Sequence, residues 1–514
     1  MGDGAAHDVL GPRRGSVMAT RTHLPLLSKT RYMAGTQCDK RLFLDCHRRD
    51  LIPEVSVGQQ RLFDQGHEVG ALATRRYPGG VRIEFDRSQY AEAAEATALA
   101  MADASVPAIF ESAFEYAGVR VRIDILVRLP GGWWRVEEVK SSTKFDESVH
   151  LDDLAVQLYV LDSCGVRVSE AGILHLDREY VRTTQALNVH ALFEFRELRK
   201  LARASRQRIA TNLRRWRRQL VQRSAPDVDP GRHCYAPYEC PFTDHCITPP
   251  GRFSLRRLPA AFKLIDEVGA DAPDDIRRLP DEVSLSTHQA RAIECIKTDR
   301  EHVSPGLSAA LADASYPIHF LDFETFAPAV PRYRWTRAYQ VLPFQWSDHV
   351  LHADGSIEHH EYLHTENSDP RRAFLESLLE AVARAGTIVV YTSFENTQLK
   401  ALAKAIRNRR KRIRKVQRRL LDLFAVVKQH YYHPDLDGSF SLKVLVPVLV
   451  PTLAYGEIAD GRAAGAAYEE LIDTATTPGR KAALEKALLR YCGTDTLAML
   501  KIWRALKRRA AGAW

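Results

Sequence analysis

Residues 119–159 constrain the fold of this chain more than any other segment. In VRVRIDILVRL, apolar residues alternate with polar ones, which predicts a half-buried strand that carries Asp124. Pro130-Gly131-Gly132 is a turn signal, and residues 133–139 predict a second strand directly after it. The segment therefore predicts a β-hairpin, followed by a helix in the sequence DDLAVQLYVL.

Three side chains with useful chemistry fall at one end of this predicted hairpin. Glu138 and Lys140 are two positions apart, so both leave the same face of their strand, near Asp124 on the neighbouring strand. Two carboxylates can hold Mg²⁺ or Mn²⁺, which polarises a phosphate and activates water, and a lysine stabilises the developing charge. The alternative is a surface hairpin with an ordinary Glu–Lys pair. The motif therefore indicates a metal site only in combination with the other motifs around it.

The composition is that of a globular protein with several domains. A chain of 514 residues with 45% hydrophobic and 27% charged residues predicts roughly two to four domains. Its net charge of +9 is compatible with a polyanionic partner. Residues 1–29 lack the apolar core of a secretory signal, so we expect a disordered extension there and a cytoplasmic location.

Eight cysteines in a cytoplasmic protein call for an explanation other than disulfides. Cys234, Cys240 and Cys246 stand at two successive C-x5-C steps, and Cys38 lies far upstream. Three clustered thiols with a distant fourth predict the ligands of a 4Fe-4S cluster or of a structural zinc ion. The wide spacing favours the iron–sulfur cluster.

Other cysteines and histidines leave alternatives open. His233 and His245 are substitute ligands if the metal is zinc, and Cys46 is an alternative to Cys38. The remaining thiols are better explained as buried free cysteines, namely Cys164, Cys295 and Cys492.

In this order, the motifs resemble RecB-like PD-(D/E)XK nucleases with an iron–sulfur staple, such as AddB-type nucleases and the CRISPR-associated exonuclease family. The resemblance covers residues 30–250 and includes Gln157-Leu158-Tyr159 on the predicted helix. It implies an α/β nuclease core in which Asp124 and Glu138 hold the metal ion. Lys140 would position the attacking water, and Gln157 would contact DNA or that lysine. The cluster would tie the two ends of the domain together.

One position of the family pattern is matched less well. Many relatives have a histidine ligand on an early helix, and this chain offers His67 and Glu68, with His67 closer to Gly66 than is usual. A degenerate domain that only binds DNA is the alternative, although the Asp, Glu and Lys of the motif are all intact.

A basic segment and a connector follow the predicted core. In residues 194–223, apolar residues stand at helical spacing, and the arginines either follow a phosphate backbone or form a solvated face. The apolar positions are Leu198, Leu201, Ile209, Leu213 and Leu220. Residues 251–315 predict a helical connector between domains.

A second group of acidic residues begins after this connector. YPIHFLDFETF predicts a strand with Asp322 and Glu324 on one face, which suits a pair of metal ions. GTIVVYTSFENTQLKALA predicts a strand that runs into a helix, with Glu395 at the junction. ALLRYCGTDTLAMLKIW predicts an amphipathic helix on which Tyr491 and Asp495 share one face.

These elements, in this order, resemble DEDD exonucleases with the ribonuclease H-like fold of the DnaQ and YprB type. The resemblance implies two Mg²⁺ or Mn²⁺ ions, with Tyr491 orienting the attacking water. The implied metal ligands are Asp322, Glu324, Glu395 and Asp495. Glu395 departs from the family because an Asp is usual there. Asp422 is a rival ligand that we expect instead to end a strand, and an inactive ribonuclease H-like binding module is the alternative.

The segment between the last two motifs is strongly basic. Residues 407–419 have few apolar side chains, which predicts a solvated helix or a track for nucleic acid beside the site. Tyr431, Tyr432 and Phe440 would stack on bases or pack in the core. Lys443 lies in a Ser-Leu-Lys turn that resembles YprB-like exonucleases, where it would touch a phosphate.

The sequence therefore predicts two α/β domains, a PD-(D/E)XK restriction-endonuclease-like core and, over residues 316–514, a ribonuclease H-like mixed sheet with flanking helices. The pairing resembles a bacterial family of RecB-like nucleases. We expect metal-dependent hydrolysis of DNA, at single strands or ends, in repair, recombination or defence. An RNA-processing exonuclease, a nucleic-acid-binding protein with relic sites and a cluster-based regulator are the alternatives. No Gly-rich Walker loop is present, so any helicase would be a separate partner.

Overall fold

The computed structural model describes residues 25–86, 88–269, 273–383, 385–453, 458 and 460–512. Two mixed sheets flanked by helices dominate these residues, so the predicted α/β class is confirmed. Within the same ranges, none of the helices combines the length and the apolar character that crossing a bilayer requires.

The first sheet organises the N-terminal unit. Its strands are β1 (Leu27–Ser28), β2 (Val81–Arg82), β3 (Ala108–Tyr116), β4 (Val119–Leu129), β5 (Trp133–Lys140), β6 (Val168–Leu176) and β7 (Phe193–Glu197). The helices of this unit are α1 (Lys29–Gln37), α2 (Asp39–His47), α3 (Val57–Thr74), α4 (Tyr90–Ala102), α5 (Glu147–Ser163), α6 (Val189–Leu192), α7 (Arg199–Ala204), α8 (Arg206–Leu220) and α9 (Thr243–Cys246).

The strand order of this sheet is β2-β3-β4-β5-β6-β7, with β1 beside β4. The predicted hairpin is confirmed, because β4 and β5 are antiparallel and pair Ile125 with Glu137. Helix α5 then crosses over to β6, which is parallel to β5. The alternation that predicted β4 is reflected in its burial, since Val121 and Ile123 are almost inaccessible to solvent.

The start of this unit corrects one predicted boundary. Strand β5 pairs with residues 125–129 of β4. Strand β1 pairs with the beginning of β4, through Leu27 and Val119. Lys29 then begins α1. The predicted extension therefore reached too far along the chain, and its residues 1–24 lie outside the described part of the structure.

The basic segment after β6 is only partly helical as predicted. Its first residues form β7, and Leu201 is exposed, whereas Ile209, Leu213 and Leu220 are buried. Several of its arginines bind carboxylates of the same unit, as Arg203 does with Asp162 at 2.7 Å. These contacts favour a structural role for those arginines over a track for nucleic acid.

The second sheet organises the C-terminal unit. Its strands are β9 (Ile318–Phe326), β10 (Leu342–Leu351), β11 (Ile357–Leu363), β12 (Ile388–Val390) and β13 (Leu420–Asp422), and a small ribbon pairs β8 (His302–Val303) with β14 (Tyr431–Tyr432). The helices from residue 261 onward are α10 (Ala261–Val268), α11 (Thr287–Thr298), α12 (Leu307–Ala312), α13 (Arg371–Ala381), α14 (Phe394–Ala405), α15 (Arg410–Gln417), α16 (Leu423–His430), α17 (Leu442–Leu449), α18 (Gly461–Leu471) and α19 (Pro478–Ala510).

The strand order of the second sheet is β11-β10-β9-β12-β13. Strand β10 is antiparallel to both of its neighbours, whereas β9, β12 and β13 run parallel to one another. The predicted connector is helical but packs as part of this unit, because Leu264, Ile293 and Leu307 share a core with Phe320 and Trp503.

The two units are in direct contact. The connection between β9 and β10, residues 327–341, lies against the first unit, where the Trp335 backbone N–H donates to the Arg182 carbonyl oxygen at 2.7 Å. Helix α3 of the first unit meets α18 of the second, and Arg61 forms a half-buried ion pair there with Glu469. The β9–β10 connection therefore links the second sheet to the first unit.

Replacing Trp216 by alanine should destabilise the first unit. The Trp216 ring is fully buried on α8, stands edge-on to Tyr32 and donates from Nε1 to Asp39 Oδ1 at 2.8 Å. Large-to-small changes of buried aromatic residues cost about 3–5 kcal/mol of unfolding free energy. Urea unfolding followed by circular dichroism measures this loss. Trp335→Ala is the control, because that side chain is 62% exposed and should change stability little.

Candidate functional site

The predicted carboxylates and lysine of the hairpin do meet. The Val139 backbone N–H donates to Asp124 Oδ2 at 2.7 Å, which fixes one carboxylate beside β5. Lys140 Nζ lies 2.8 Å from Glu138 Oε1, and Lys29 Nζ lies 2.6 Å from the same oxygen. This group, with Asp153, is called the first site below.

Helix α5 supplies two further groups. Gln157 Nε2 donates to Glu138 Oε2 at 2.8 Å, and the Gln157 side chain is completely buried. In the structure, Gln157 therefore contacts Glu138 rather than Lys140. Asp153 pairs with Lys140 and lies 3.2 Å from Lys29 Nζ. Tyr159 faces away from the site and packs against Tyr116.

Three residues of the first site were missing from the sequence-based prediction. Asp153 stands four positions before Gln157 on α5, so helical spacing was a usable signal. Lys29 reaches the site because β1 pairs with β4, a long-range contact without a local signal. Glu111 lies between Phe110 and Ser112 of β3, whose partners Ile125 and Ile123 flank Asp124 on β4. Its φ of 57° places a bulky residue in the left-handed region.

The ionisable side chains of the first site have pKa values shifted in different directions. Burial and the neighbouring charge of Glu138 raise the pKa of Asp124 to about 8. Burial also raises the pKa of Glu138, but Lys140 and Lys29 outweigh it and hold that pKa below its ordinary value. Burial lowers the pKa of Lys29, yet Asp153 and Glu138 outweigh it, so the lysine stays charged. The two carboxyl groups therefore differ in the direction of their pKa shifts, which is upward for Asp124 and downward for Glu138.

Two open cavities meet at Asp124 and Glu111. One has a volume of about 670 Å³ and is also lined by Glu138 and by His67 of α3, so the uncertain histidine does face the site. The other has a volume of about 750 Å³. Its basic lining residues are Lys29, Arg31, Arg49, Arg120 and Arg122. The first site is therefore open to a ligand on two sides.

The acidic residues of the second unit also converge. Asp322 and Glu324 leave the same face of β9, and Glu395 lies in the first turn of α14, almost fully buried. Burial raises the pKa of Asp322, and the charge of Asp495 on α19 raises it further. Burial likewise raises the pKa of Glu324, with contributions from Asp322, Asp495 and Glu395. These four carboxylates are called the second site below.

A cysteine lies within this second site. Cys492 Sγ is 3.7 Å from Asp322 Oδ2, and donor atoms of Asp322, Glu324 and Cys492 lie within 4.8 Å of one another. Cys492 is buried as predicted, but its place next to the carboxylates was not foreseen, although it stands between Tyr491 and Asp495 in the sequence. Cys295 is buried as well, whereas Cys164 is exposed, contrary to the prediction.

The predictions for residues near the second site agree with the structure to different degrees. Asp422 ends β13 as expected and accepts from the Ala425 backbone N–H at 3.1 Å, so it caps α16. The positive charge of Lys443 lowers the pKa of Glu324, against the larger effects that raise it. Of the two alternatives for the aromatic residues, stacking on bases or packing in the core, the structure shows core packing, because the side chains involved are buried. These are Tyr431, Tyr432 and Phe440.

The basic segment 407–419 remains on the surface. It forms α15, which buries only Ile413 and Val416 and exposes its basic side chains. Gln417 Nε2 donates to Asn396 Oδ1 at 2.7 Å, which places the end of α15 next to the first turn of α14. This contact brings the basic surface toward Glu395.

The four predicted cluster cysteines line one small cavity, namely Cys38, Cys234, Cys240 and Cys246. His233 also lines it, with Nε2 at 3.7 Å from Cys234 Sγ, whereas Cys46 instead packs against the core of the first unit. Burial raises the pKa of Cys240, and nearby thiols add to this effect. The structure therefore brings the distant Cys38 to the three clustered cysteines.

The pKa of Asp124 predicts how metal binding depends on pH. A proton on this carboxyl group competes with a cation, so Mn²⁺ should bind the first site more tightly as the pH rises toward about 8. One displaced proton weakens binding up to about tenfold per pH unit below that value.

The test is Mn²⁺ titration of an Asp322→Ala variant, which lacks one carboxylate of the second site, at about pH 6.5 and about pH 8.5. Adding Asp124→Asn should weaken binding and remove the pH dependence. A pH dependence that survives Asp124→Asn would show that another group controls the competition.

A comparison with protein-family models finds a match in the second unit. A family model described as a domain of unknown function, DUF2779, matches residues 319–441. This range includes Asp322, Glu324 and Glu395 but ends before α17 and α19. No curated protein and no solved structure matches the chain.

Proposed function

We propose that the protein is a metal-dependent nuclease that acts in the cytoplasm and hydrolyses phosphodiester bonds of DNA at two separate active sites. The second site carries this proposal, because β9, α14 and α19 bring four carboxylates together, and burial with the neighbouring charges raises the pKa of Asp322, Glu324 and Glu395. Neighbouring carboxylates repel one another unless protons or cations neutralise them. Pairs of divalent cations held in this way stabilise the attacking and leaving oxygens of phosphodiester hydrolysis.

The topology of each unit supports this proposal. In the first unit, an antiparallel meander of β3, β4 and β5 and a parallel β6 reached through α5 agree with a PD-(D/E)XK core. In the second unit, a central β9 with an antiparallel β10 on one side and parallel β12 on the other agrees with a ribonuclease H-like fold. In both units, acidic residues on neighbouring elements of the sheet come together, which supports the proposal.

At the first site, a bound Mg²⁺ or Mn²⁺ ion would polarise the phosphate and activate water. Asp124 and Glu138 would hold it, and Gln157 fixes the orientation of Glu138 through its hydrogen bond to Oε2. Lys140 is held between Glu138 and Asp153, so its ammonium group has a set position next to the metal ligands. The basic lining of the adjoining cavity supports binding of a phosphate backbone there.

The cysteine cavity fits an iron–sulfur cluster by the chemistry of its donors. Cys38 lies between α1 and α2, and the other three thiols lie in the segment after α8, the last of them at the end of α9. All four line the same small cavity. The wide C-x5-C steps between the three clustered cysteines favour a 4Fe-4S cluster, which would tie the two segments together.

Single substitutions should separate the two activities. We expect Lys140→Ala to remove the products of the first site and Asp322→Ala to remove those of the second, each by at least about a hundredfold, because each removes a group at a reacting centre. The measurement uses anaerobically purified protein with Mg²⁺ or Mn²⁺ on end-labelled single-stranded DNA, duplex DNA and RNA.

The matched controls are Lys200→Ala and Asp281→Ala, which change exposed residues of the same types and should leave both product patterns intact. Cleavage of RNA in preference to DNA would instead support an RNA-processing exonuclease. If the wild type binds these substrates and cuts none of them, the protein is a binding module with relic sites.

Cys240→Ser should reduce the iron content and destabilise the first unit. Wild-type protein purified without oxygen should contain about four iron atoms per chain, and the variant should contain about one or fewer. Iron analysis, the absorbance spectrum and the melting temperature provide the readouts. Cys164→Ser is the control, because Cys164 is exposed and remote from the cavity. Unchanged iron and stability in Cys240→Ser would contradict the four-cysteine assignment.

A further inference from the structure

The second unit touches the first site next to its lysine. Lys140 is the last residue of β5, and Ser141 follows it directly. The Tyr339 hydroxyl of the second unit donates to the Ser141 carbonyl oxygen at 2.6 Å and lies 2.7 Å from Ser141 Oγ. One side chain of the second unit is thus hydrogen-bonded to the residue after Lys140.

The backbone around Tyr339 is held in an unusual conformation. Its φ is 54°, in the left-handed region that bulky residues rarely adopt, and its N–H donates to the Pro328 carbonyl oxygen at 2.9 Å. Non-glycine residues persist in this region only where the surrounding structure determines them. The surroundings of Tyr339 are apolar, because its half-buried ring joins a cluster that includes Val139 of β5. The position of its hydroxyl group is therefore closely defined.

The same tyrosine belongs to the surroundings of the second site. It lines a cavity of about 460 Å³ together with Glu324 and with Arg61 of α3. The connection that carries Tyr339 begins directly after β9, the strand of Asp322 and Glu324. Tyr339 thus connects the neighbourhoods of the two sites.

Helix α3 is a common wall of the two sites. Its first half lines the cavity next to Glu324 with Gly58, Arg61, Leu62 and Gln65. Its second half lines the cavity next to Glu138 with Gly66, His67, Gly70, Ala71 and Thr74. At 100° per residue, these two sets lie on opposite faces of the helix. Any shift of α3 against the second unit would change the shape of both cavities.

We propose that Tyr339 is a positioning residue through which the docked second unit holds the Lys140 end of β5 in its working geometry. The proposal rests on the proposed nuclease function of the first site. Lys140 contacts both Glu138 and Asp153, so a displacement of the strand end would change the place of its ammonium group relative to the metal ligands. Small errors in the position of a reacting group lower a rate strongly without weakening substrate binding to the same degree.

Tyr339→Phe in the full chain tests this proposal, because it removes the hydroxyl group and keeps the ring. In an Asp322→Ala background, where only the first site acts, we expect kcat to fall by about tenfold or more with little change in KM. We also expect weaker binding of Mn²⁺ to the first site and faster amide hydrogen exchange in residues 139–142. Ser141→Ala should have a smaller effect, because its carbonyl oxygen still accepts the hydrogen bond.

Tyr431→Phe is the matched control. It removes another buried tyrosine hydroxyl of the second unit, which donates to Glu301 Oε2 at 2.7 Å far along the chain from β5. This variant should leave kcat, Mn²⁺ affinity and exchange in residues 139–142 unchanged.

The result that overturns the proposal is a Tyr339→Phe variant with wild-type kcat, Mn²⁺ affinity and exchange rates. A loss of the same size in Tyr431→Phe would also overturn it, since the effect would then be one of general stability. If the Asp322→Ala background cuts no substrate, the nuclease function of the first site fails. Mn²⁺ affinity and hydrogen exchange then still decide whether Tyr339 positions the strand end.

Discussion

The repulsion between buried carboxylates is the constraint on which the rest of this structure depends. At the first site, Lys29 and Lys140 neutralise Glu138, so one carboxylate stays ionised while the pKa of Asp124 rises. At the second site, the carboxylates raise one another's pKa, and Lys443 counters this only in part. Such arrangements are costly to fold unless a proton or a cation balances the charge. The two sites therefore share the need to balance buried negative charge but meet it with different groups of their own.

The side chains that surround these carboxylates come from segments that are distant in the sequence. Lys29 contacts Glu138 across 109 positions, and Cys492 approaches Asp322 across 170. Both contacts follow from backbone pairing and helix packing, because β1 pairs with β4 and α19 packs against β9. The sheets fix one part of the carboxylates, and helices supply the rest, namely Asp153, Glu395 and Asp495.

The same principle links larger parts of the chain. The cavity of four cysteines joins the α1–α2 junction to the loop after α8, so these ends of the first unit meet at one place. The β9–β10 connection and helix α3 join the first unit to the second, through Tyr339 and through Arg61 with Glu469. Residues that serve the proposed chemistry thus lie close to residues that hold the units together.

The sequence by itself determined the features that depend on local spacing. The alternation of apolar and polar residues predicted β4. A spacing of two residues placed Glu138 and Lys140 on one strand face, and Asp322 and Glu324 on another. A spacing of four residues placed Tyr491 and Asp495 on one face of a helix. These predictions held because strand and helix periods assign side chains to faces wherever the element forms.

Only the tertiary structure decided which faces meet and which side chains are buried. It brought Lys29 and Tyr339 to the first site and placed Cys492 in the second. It also buried Tyr431 and Tyr432 in the core, where stacking on bases is excluded. Such outcomes depend on pairing and packing between remote segments, and a periodicity within one segment carries no information about its distant partner.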